Sequence, residues 1–245
     1  MRMHVEATMP AGRNFHKFIL LSFAALSFGA GAESPASPLT KVPHETLCVT
    51  EGAIASLGGE QFDVSVPKMR AYLNEYTPPV VEEQFTYLGA TPNESPLASG
   101  VVRRQFGVKL RAQDACNVVY ATWRIEPESK LVISVKSNPG EHSSIQCGNH
   151  GYRNVRPRKM APLPALQAGD VHTLRAEMHR AEMRVLVDSN LVWSGSVGSE
   201  ALDFDGPVGL RTDNVHLQIE LRAALPLVPQ FQHAPGCRSA KEESD

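Results

Sequence analysis

Apolar and polar residues alternate with a period of two in short runs along the middle of the chain. The run VVRRQFGVKL places Phe106, Val108 and Leu110 on one face, and Gln105 and Lys109 on the other. The same alternation recurs in QFDVSVP, QFTYL, NVVYATWRI, KLVISVK, VHTLRAEM, MRVLV and HLQIEL. This period is typical of antiparallel strands that bury one side. Many short strands at regular spacing predict an all-β fold, an antiparallel β-sandwich of the jelly-roll type.

Residues 174–186, with the sequence LRAEMHRAEMRVL, also fit an amphipathic helix, because most of them are strong helix formers. We favour a hairpin with its turn within residues 178–182. Val171 before this stretch, and residues 185–187 at its end, follow the strand pattern. Turn-forming residues also separate the other runs, most clearly at 138–140, 188–190 and 205–207.

The chain begins with features of a secretory signal peptide. An apolar run over residues 18–28 follows Arg13 and Lys17 and precedes the small residues 30–32. A membrane span needs about 20 apolar residues, so we expect cleavage and no span afterwards. We therefore predict a secreted, periplasmic or cell-surface protein. The predicted boundaries are 1–32 for the signal peptide, 33–45 for a Pro- and Ser-rich linker, 46–222 for the β-sandwich and 223–245 for a C-terminal tail.

The charge of the chain excludes one class of partner. Its 245 residues include 24 Lys or Arg and 26 Asp or Glu, which gives a net charge of −2. A chain this close to neutral has no general attraction to nucleic acid, so we predict no nucleic-acid partner.

Four cysteines in an exported protein predict two disulfides, and three pairings are possible. A bond between Cys116 and Cys147 would fasten the polar loop after residue 138 to the strand that carries Tyr120. Cys48 and Cys237 would then join the two ends of the domain. The sequence alone leaves the three pairings open.

The C-terminal half resembles a known fold family. Gly169-Asp170, Val187-Asp188, residues 191–193 (LVW) and residues 206–211 (GPVGLR) occur in the order typical of the concanavalin A-like lectin/glucanase sandwich, in its laminin-G-like branch. The 3-keto-disaccharide hydrolase family has a similar C-terminal half. The resemblance implies a concanavalin A-like jelly roll and is best over the last fifty residues of the sandwich.

The resemblance implies either carbohydrate binding or glycoside chemistry. Glucanases of this fold carry Glu-x-Asp-x-x-Glu on one strand, and this chain contains no such run, so we predict no catalytic residues. The favoured hypothesis is an exported, non-catalytic binding or cell-surface module whose partner is a glycan or a surface protein. The alternatives are a glycoside-active enzyme of this fold and a purely structural envelope or matrix protein. The oligomeric state is left open.

Two neighbouring strands, the first with Arg103 and Gln105 on its polar face, and one loop supply candidate ligand-binding residues. In residues 117–125 the alternation puts Tyr120 and Arg124 on one face and Trp123 on the other, with the core. Aromatic and arginine side chains on a polar sheet face suit sugar binding. Long loops are often functional, and the loop after residue 138 ends in a second polar group. The predicted ligand-binding residues are Arg103, Gln105, Tyr120, Arg124, Tyr152, Arg153 and Asn154.

We predict no cofactor and no metal site. Calcium is the one alternative, because laminin-G-like domains often bind it, and Asp188, Asp213 and Asn214 supply suitable oxygen atoms. The same residue types also form turns, which favours the simpler interpretation. The chain has no His-x-x-x-His or Cys-x-x-Cys spacing for zinc.

Overall fold

The computed structural model describes residues 38–225. Its strands, in chain order, are β1 (Thr40–Lys41), β2 (Leu47–Glu51), β3 (Ala55–Gly58), β4 (Gln61–Val64), β5 (Lys68–Leu73), β6 (Val80–Ala90), β7 (Gln105–Leu110), β8 (Val118–Arg124), β9 (Lys130–Lys136), β10 (Tyr152–Asn154), β11 (Lys159–Met160), β12 (Val171–His179), β13 (Glu182–Val187), β14 (Asn190–Ser196), β15 (Gly209–Asp213) and β16 (Val215–Ala223). The short helix α1 (Ser144–Cys147) and two 3-10 turns, His44–Thr46 and Ser199–Leu202, complete the described elements.

The strands form two antiparallel sheets. The nine-stranded sheet has the order β11-β14-β13-β12-β6-β16-β4-β3, and β1 pairs with β16. The seven-stranded sheet has the order β10-β9-β8-β7-β15-β5-β2. Strands distant in sequence thus become neighbours, as β7, β15 and β5 do. The predicted antiparallel β-sandwich is confirmed.

The core lies between the two sheets and is built from the apolar side of each alternating strand. Phe85 of β6 packs edge-on against Phe106 of β7, with ring centroids 4.5 Å apart, and Phe106 stacks on Trp123 of β8 at 5.7 Å. Trp123 and Trp193 are both fully buried. The predicted core position of Trp123 is therefore confirmed, and each ring of this size buries roughly 150–250 Å².

The segment that could have been a helix is the hairpin of β12 and β13. Its pairing runs from Leu174 opposite Val187 to His179 opposite Glu182. Arg180 has a φ of 53°, in the left-handed region that a two-residue hairpin turn requires. Burial of Leu174, Ala176 and Met178 against the other sheet outweighs the helix propensity of these residues.

The sheets extend slightly beyond the predicted domain boundaries. Thr40 and Lys41, in the segment predicted as a linker, pair with Ala223 and Arg222, so the first and last described strands are neighbours. The signal peptide, most of the predicted tail and Cys237 lie outside the described residues. Within residues 38–225, no helix has the length and hydrophobicity needed to cross a membrane.

Candidate ligand-binding cleft

The seven-stranded sheet carries a cleft of about 1120 Å³ on the face that points away from the core. Along each strand of this sheet, polar and apolar residues alternate, and the polar ones lie mostly on this face. Two loops raise its rim, residues 91–104 before β7 and residues 137–151 before β10. A rigid sheet floor with loop walls is the usual construction of a ligand site.

Cross-strand pairing determines which side chains meet on the floor. Tyr120 of β8 is opposite Lys109 of β7, which is opposite Gly209 of β15. In the next row, Gly107 lies between the strands that carry Thr122 and Arg211. Both glycines permit a close approach of the strands, because a Cβ at Gly107 would collide with the carbonyl oxygen of Ala121 and a Cβ at Gly209 with that of Ala71.

A buried ion cluster lies at the centre of the floor. The Asp213 carboxylate accepts hydrogen bonds from Arg70 Nη2 at 2.5 Å, Arg211 Nη2 at 2.7 Å and Gln105 Nε2 at 2.8 Å. Burial alone would raise the pKa of Asp213, but Arg211 and Arg70 outweigh burial and lower that pKa to about 2. Asp213 therefore remains a carboxylate at any ordinary pH and anchors both guanidinium groups.

Lys109 is the third cation on the floor, and its side chain is almost fully buried. Among residues 38–225 it forms no hydrogen bond or ion pair, although it lines the cleft. Burial, together with the nearby charges of Arg70 and Arg211, lowers the pKa of the Lys109 amine to about 7. A lysine so close to neutrality gains its charge readily when an anion approaches.

Two tyrosines form the aromatic part of the cleft. The buried Tyr120 ring stacks with Tyr152 at a centroid distance of 6.1 Å and an interplanar angle of 24°, and Tyr152 is 44% exposed. The Arg211 guanidinium lies 4.9 Å from the Tyr120 centroid, and Lys136 Nζ lies 5.1 Å from the Tyr152 centroid. Cations at these distances attract the ring faces and hold both tyrosines in place.

The loop that precedes Tyr152 is fastened by the disulfide between Cys116 and Cys147. Lys136 Nζ donates to the carbonyl oxygens of Ala115 and Gly148, at 3.0 and 2.9 Å, and thereby joins both ends of the bridge. The bond is the one that we considered for fastening this loop, and the pairing of Cys48 with Cys237 stays a prediction. Cys48 also has an interaction partner, and Cys237 lies outside the described residues.

Replacing Cys116 and Cys147 together by alanine is expected to lower the free energy of unfolding by about 3 kcal/mol, because the unfolded chain loses a cross-link between residues 31 apart. Urea denaturation measures this effect. Ile145→Ala, at an exposed position in the same loop, is the matched control and should change stability by less than about 0.5 kcal/mol. Equal stability of the double variant and the parent chain would contradict the prediction.

The other rim loop is held by Asn214, the residue after Asp213. Asn214 Oδ1 accepts from the Ser95 amide at 2.8 Å, and Nδ2 donates to the carbonyl oxygens of Ser95 and Arg103, both at 2.9 Å. Its φ of 57° is in the left-handed region that asparagine tolerates. Asn214 is therefore a structural clamp between the β15–β16 turn and the rim.

Most of the predicted ligand-binding residues meet in the cleft. Its lining includes Arg103, Gln105, Tyr120, Arg124, Tyr152 and Asn154. Arg153 is the exception, since it lies on the opposite face of β10, where it donates to the Val197 carbonyl oxygen and pairs with Glu200.

The sequence reasoning missed Arg70, Lys136 and Arg211 as site residues and noted Lys109 only as polar. The alternation of polar and apolar residues could have placed each of them on the polar face of its strand. It could not have predicted the pairing of distant strands that brings them together.

The residues considered for calcium have other contacts in this structure. Asp213 pairs with two arginines, Asn214 bonds to the rim loop, and Asp188 Oδ2 lies 2.7 Å from His172 Nδ1. Residues 38–225 contain no group of three or more His, Cys, Asp or Glu side chains placed to hold a metal ion. The carboxylates that line the cleft are Glu51 and Asp114.

Several solved structures have backbones similar to that of this chain. A carbohydrate-binding module from Bacillus subtilis is 13% identical, with a TM-score of 0.48 over 71% of this chain and 91% of that one. A galectin from Caenorhabditis elegans is 10% identical, with a TM-score of 0.39 over 67% and 94%. A crystal structure described as a putative glycosyl hydrolase, from Parabacteroides distasonis, is 8% identical, with a TM-score of 0.46 over 75% and 90%.

No protein-family model matches the chain, and no curated protein matches it.

Proposed function

We propose that this protein is a carbohydrate-binding module that holds a saccharide in the cleft over the seven-stranded sheet. The observation that carries the proposal is the half-exposed Tyr152 ring, which lies beside polar side chains of the cleft and is supported from behind by Tyr120. A sugar ring has one apolar face and many hydroxyl groups, so it needs an aromatic surface surrounded by hydrogen-bond donors and acceptors.

The polar part of the cleft suits hydroxyl groups. Asn154 and Ser134 are paired across β10 and β9, and Gln105 and Thr122 line the neighbouring strands. These side chains include both donors and acceptors, as a sugar hydroxyl requires. The volume of about 1120 Å³ is sufficient for an oligosaccharide.

We also propose that the protein works outside the cytoplasm. The predicted signal peptide over residues 1–32 and the disulfide between Cys116 and Cys147 both support this proposal. Structural disulfides persist in oxidising compartments and are rare in the cytosol. The chain would then meet glycans of an envelope or of the surroundings.

Tyr152→Ala tests the aromatic surface directly. We expect the substitution to weaken saccharide binding about tenfold, close to 1.4 kcal/mol, because the stacking face is lost. The full chain with its disulfides formed is first screened on an array of neutral and acidic oligosaccharides. The strongest binder is then titrated calorimetrically against both proteins.

Ile145→Ala is the matched control for this titration, since Ile145 is exposed in the same loop and does not line the cleft. It should bind as the parent chain does. A folded parent chain that binds no oligosaccharide would overturn the proposed function. Unchanged binding by Tyr152→Ala would remove the cleft as its site.

A further inference from the structure

The charge of the cleft is opposite to that of the chain. The whole chain carries a net charge of −2. Seven lysine or arginine side chains nevertheless line the cleft, against the carboxylates of Glu51 and Asp114. Cations gathered in a concave, poorly solvated site focus a positive potential there and attract anions.

The positive charge is greatest at the floor, where only one buried carboxylate faces three cations. Asp213 is shared by Arg70 and Arg211. Glu51 is 3.9 Å from Arg70 Nε, but its side chain is half exposed and compensates weakly. Lys109 has no counterion within hydrogen-bond distance among the described residues. The floor therefore carries an excess of positive charge when Lys109 is protonated.

Hydrogen-bond donors on the floor are also left without acceptors. Arg211 Nε is buried and has no hydrogen-bond partner within residues 38–225. Lys109 is buried to more than nine-tenths as a residue and lines the cleft, and no hydrogen bond or ion pair of its amine is found within residues 38–225. Buried donors of charged groups are normally paired, and leaving them unpaired costs more than leaving neutral donors unpaired. An oxyanion bound at this point would supply the missing acceptors.

We propose that the cleft selects saccharides that carry an anionic group, a carboxylate or a sulfate, and that this group binds on the floor between Arg70, Lys109 and Arg211. The inference rests on the proposed function, which it extends from saccharides in general to acidic ones. Tyr152 contacts the sugar ring, and the floor cations contact its charged substituent. Arginine and lysine together provide both a planar donor pair and a compact charge for such a group.

The environment of Lys109 supports the same conclusion. The groups that face its amine are Arg70 of β5, Arg211 and Asp213 of β15, Tyr120 of β8 and Glu51 of β2. Burial and the two arginines lower the pKa of Lys109 to about 7. Near pH 8 the Lys109 amine is therefore mostly neutral. An anion bound among these groups favours the protonated amine, so we expect Lys109 to take up a proton when the anion binds at this pH.

Lys109→Met is the decisive variant, because methionine fills the space of the lysine stem and removes only the amine. The full chain is titrated with a uronic acid oligosaccharide, a sulfated oligosaccharide, a neutral oligosaccharide of the same length, sodium acetate and sodium sulfate. Lys130→Met, which removes a charge from the same sheet outside the cleft lining, is the matched control.

We expect the parent chain to bind an acidic oligosaccharide at least tenfold more tightly than the neutral one. This preference should shrink as NaCl is raised from 0.05 to 0.5 M. Lys109→Met should weaken binding of the acidic oligosaccharide at least tenfold and should lower the ratio of acidic to neutral affinity, and Lys130→Met should leave that ratio unchanged. Preference for the uronic acid identifies the carboxylate as the ligand group, and preference for the sulfated sugar identifies the sulfate.

The outcomes separate this inference from the proposed function. Equal affinity of the parent chain for neutral and acidic sugars, independent of salt, overturns the anionic preference and leaves carbohydrate binding intact. Binding of acetate or sulfate that depends on Lys109, without binding of any oligosaccharide, retains the anion site and overturns the proposed function. If nothing binds, both are wrong. The salt series requires no variant, so it decides the matter even if Lys109→Met does not fold.

Discussion

Asp213→Asn is expected to lower the free energy of unfolding by about 4 kcal/mol at pH 7. The buried carboxylate accepts hydrogen bonds from Arg70, Arg211 and Gln105. An asparagine of the same shape leaves Arg211 beside Lys109 without a counterion and leaves Arg70 with only the half-exposed Glu51. Breaking a buried ion pair in this way costs far more than removing both charges, because the remaining charge stays desolvated.

The pH dependence of this loss follows from the low pKa of Asp213. Because the pKa falls from 3.8 to about 2 on folding, the carboxylate stabilises the fold fully above pH 3.8 and loses that contribution as the pH falls through 2. Urea denaturation of the parent chain and the variant between pH 3 and pH 7 measures the difference. The difference in free energy of unfolding between the two proteins should be constant above pH 4 and should decrease below pH 4.

Glu128→Gln is the matched control for Asp213→Asn. Glu128 also pairs with a cation, Lys130 at 2.6 Å, but its side chain is 72% exposed. Exposed ion pairs contribute little to stability because water screens them, so this variant should be nearly as stable as the parent chain. A similar loss in both variants would contradict the special role assigned to the buried cluster.

Glu83 is expected to make the protein less stable as the pH rises from 4.5 to about 8, by an amount on the order of 4 kcal/mol. Glu83 of β6 points into the core between Leu174 and Leu221, and neither carboxylate oxygen has a hydrogen-bond partner among residues 38–225. Burial raises the pKa of this carboxyl group to about 8. Between these pH values the folded chain holds one proton more than the unfolded chain.

Two substitutions at this position separate ionisation from polarity. Glu83→Gln keeps the size and the polar atoms but cannot ionise, and Glu83→Met also removes the polar atoms. Relative to the parent chain, both should gain stability steadily from pH 5 to pH 8, and Glu83→Met should be the more stable of the two. Denaturation curves of parent and variants that stay parallel over this range would show that Glu83 does not titrate with folding.

Much of the fold follows from the two-residue period, and Glu83 shows where that reasoning ends. The alternation in β8 correctly predicts that Trp123 enters the core and that Tyr120 and Arg124 face the other way. In β6 the same period places Val81, Glu83 and Phe85 on the inner face. A charged residue in such a position reads as exposed from the sequence, because ionised groups are rarely buried without a partner.

The site was harder to predict than the fold, for a topological reason. Arg70, Lys109 and Arg211 lie on three strands that are about 40 and 100 residues apart in sequence and neighbours in the sheet. Local patterns give the face on which each side chain lies, but they do not give the order of strands. Tyr120 and Tyr152 lie closer in the chain. The sequence analysis predicted both as ligand-binding residues, and both line the cleft.

Asn214 and Asp213 are consecutive residues, and each holds a different part of the cleft. The first fixes the rim loop through three hydrogen bonds, and the second fixes the arginines of the floor. A single rigid turn thus sets the distance between wall and base before any ligand arrives. For the proposed binding function, such preorganisation would reduce the conformational entropy lost when a ligand binds, so that a modest number of contacts would suffice for a specific complex.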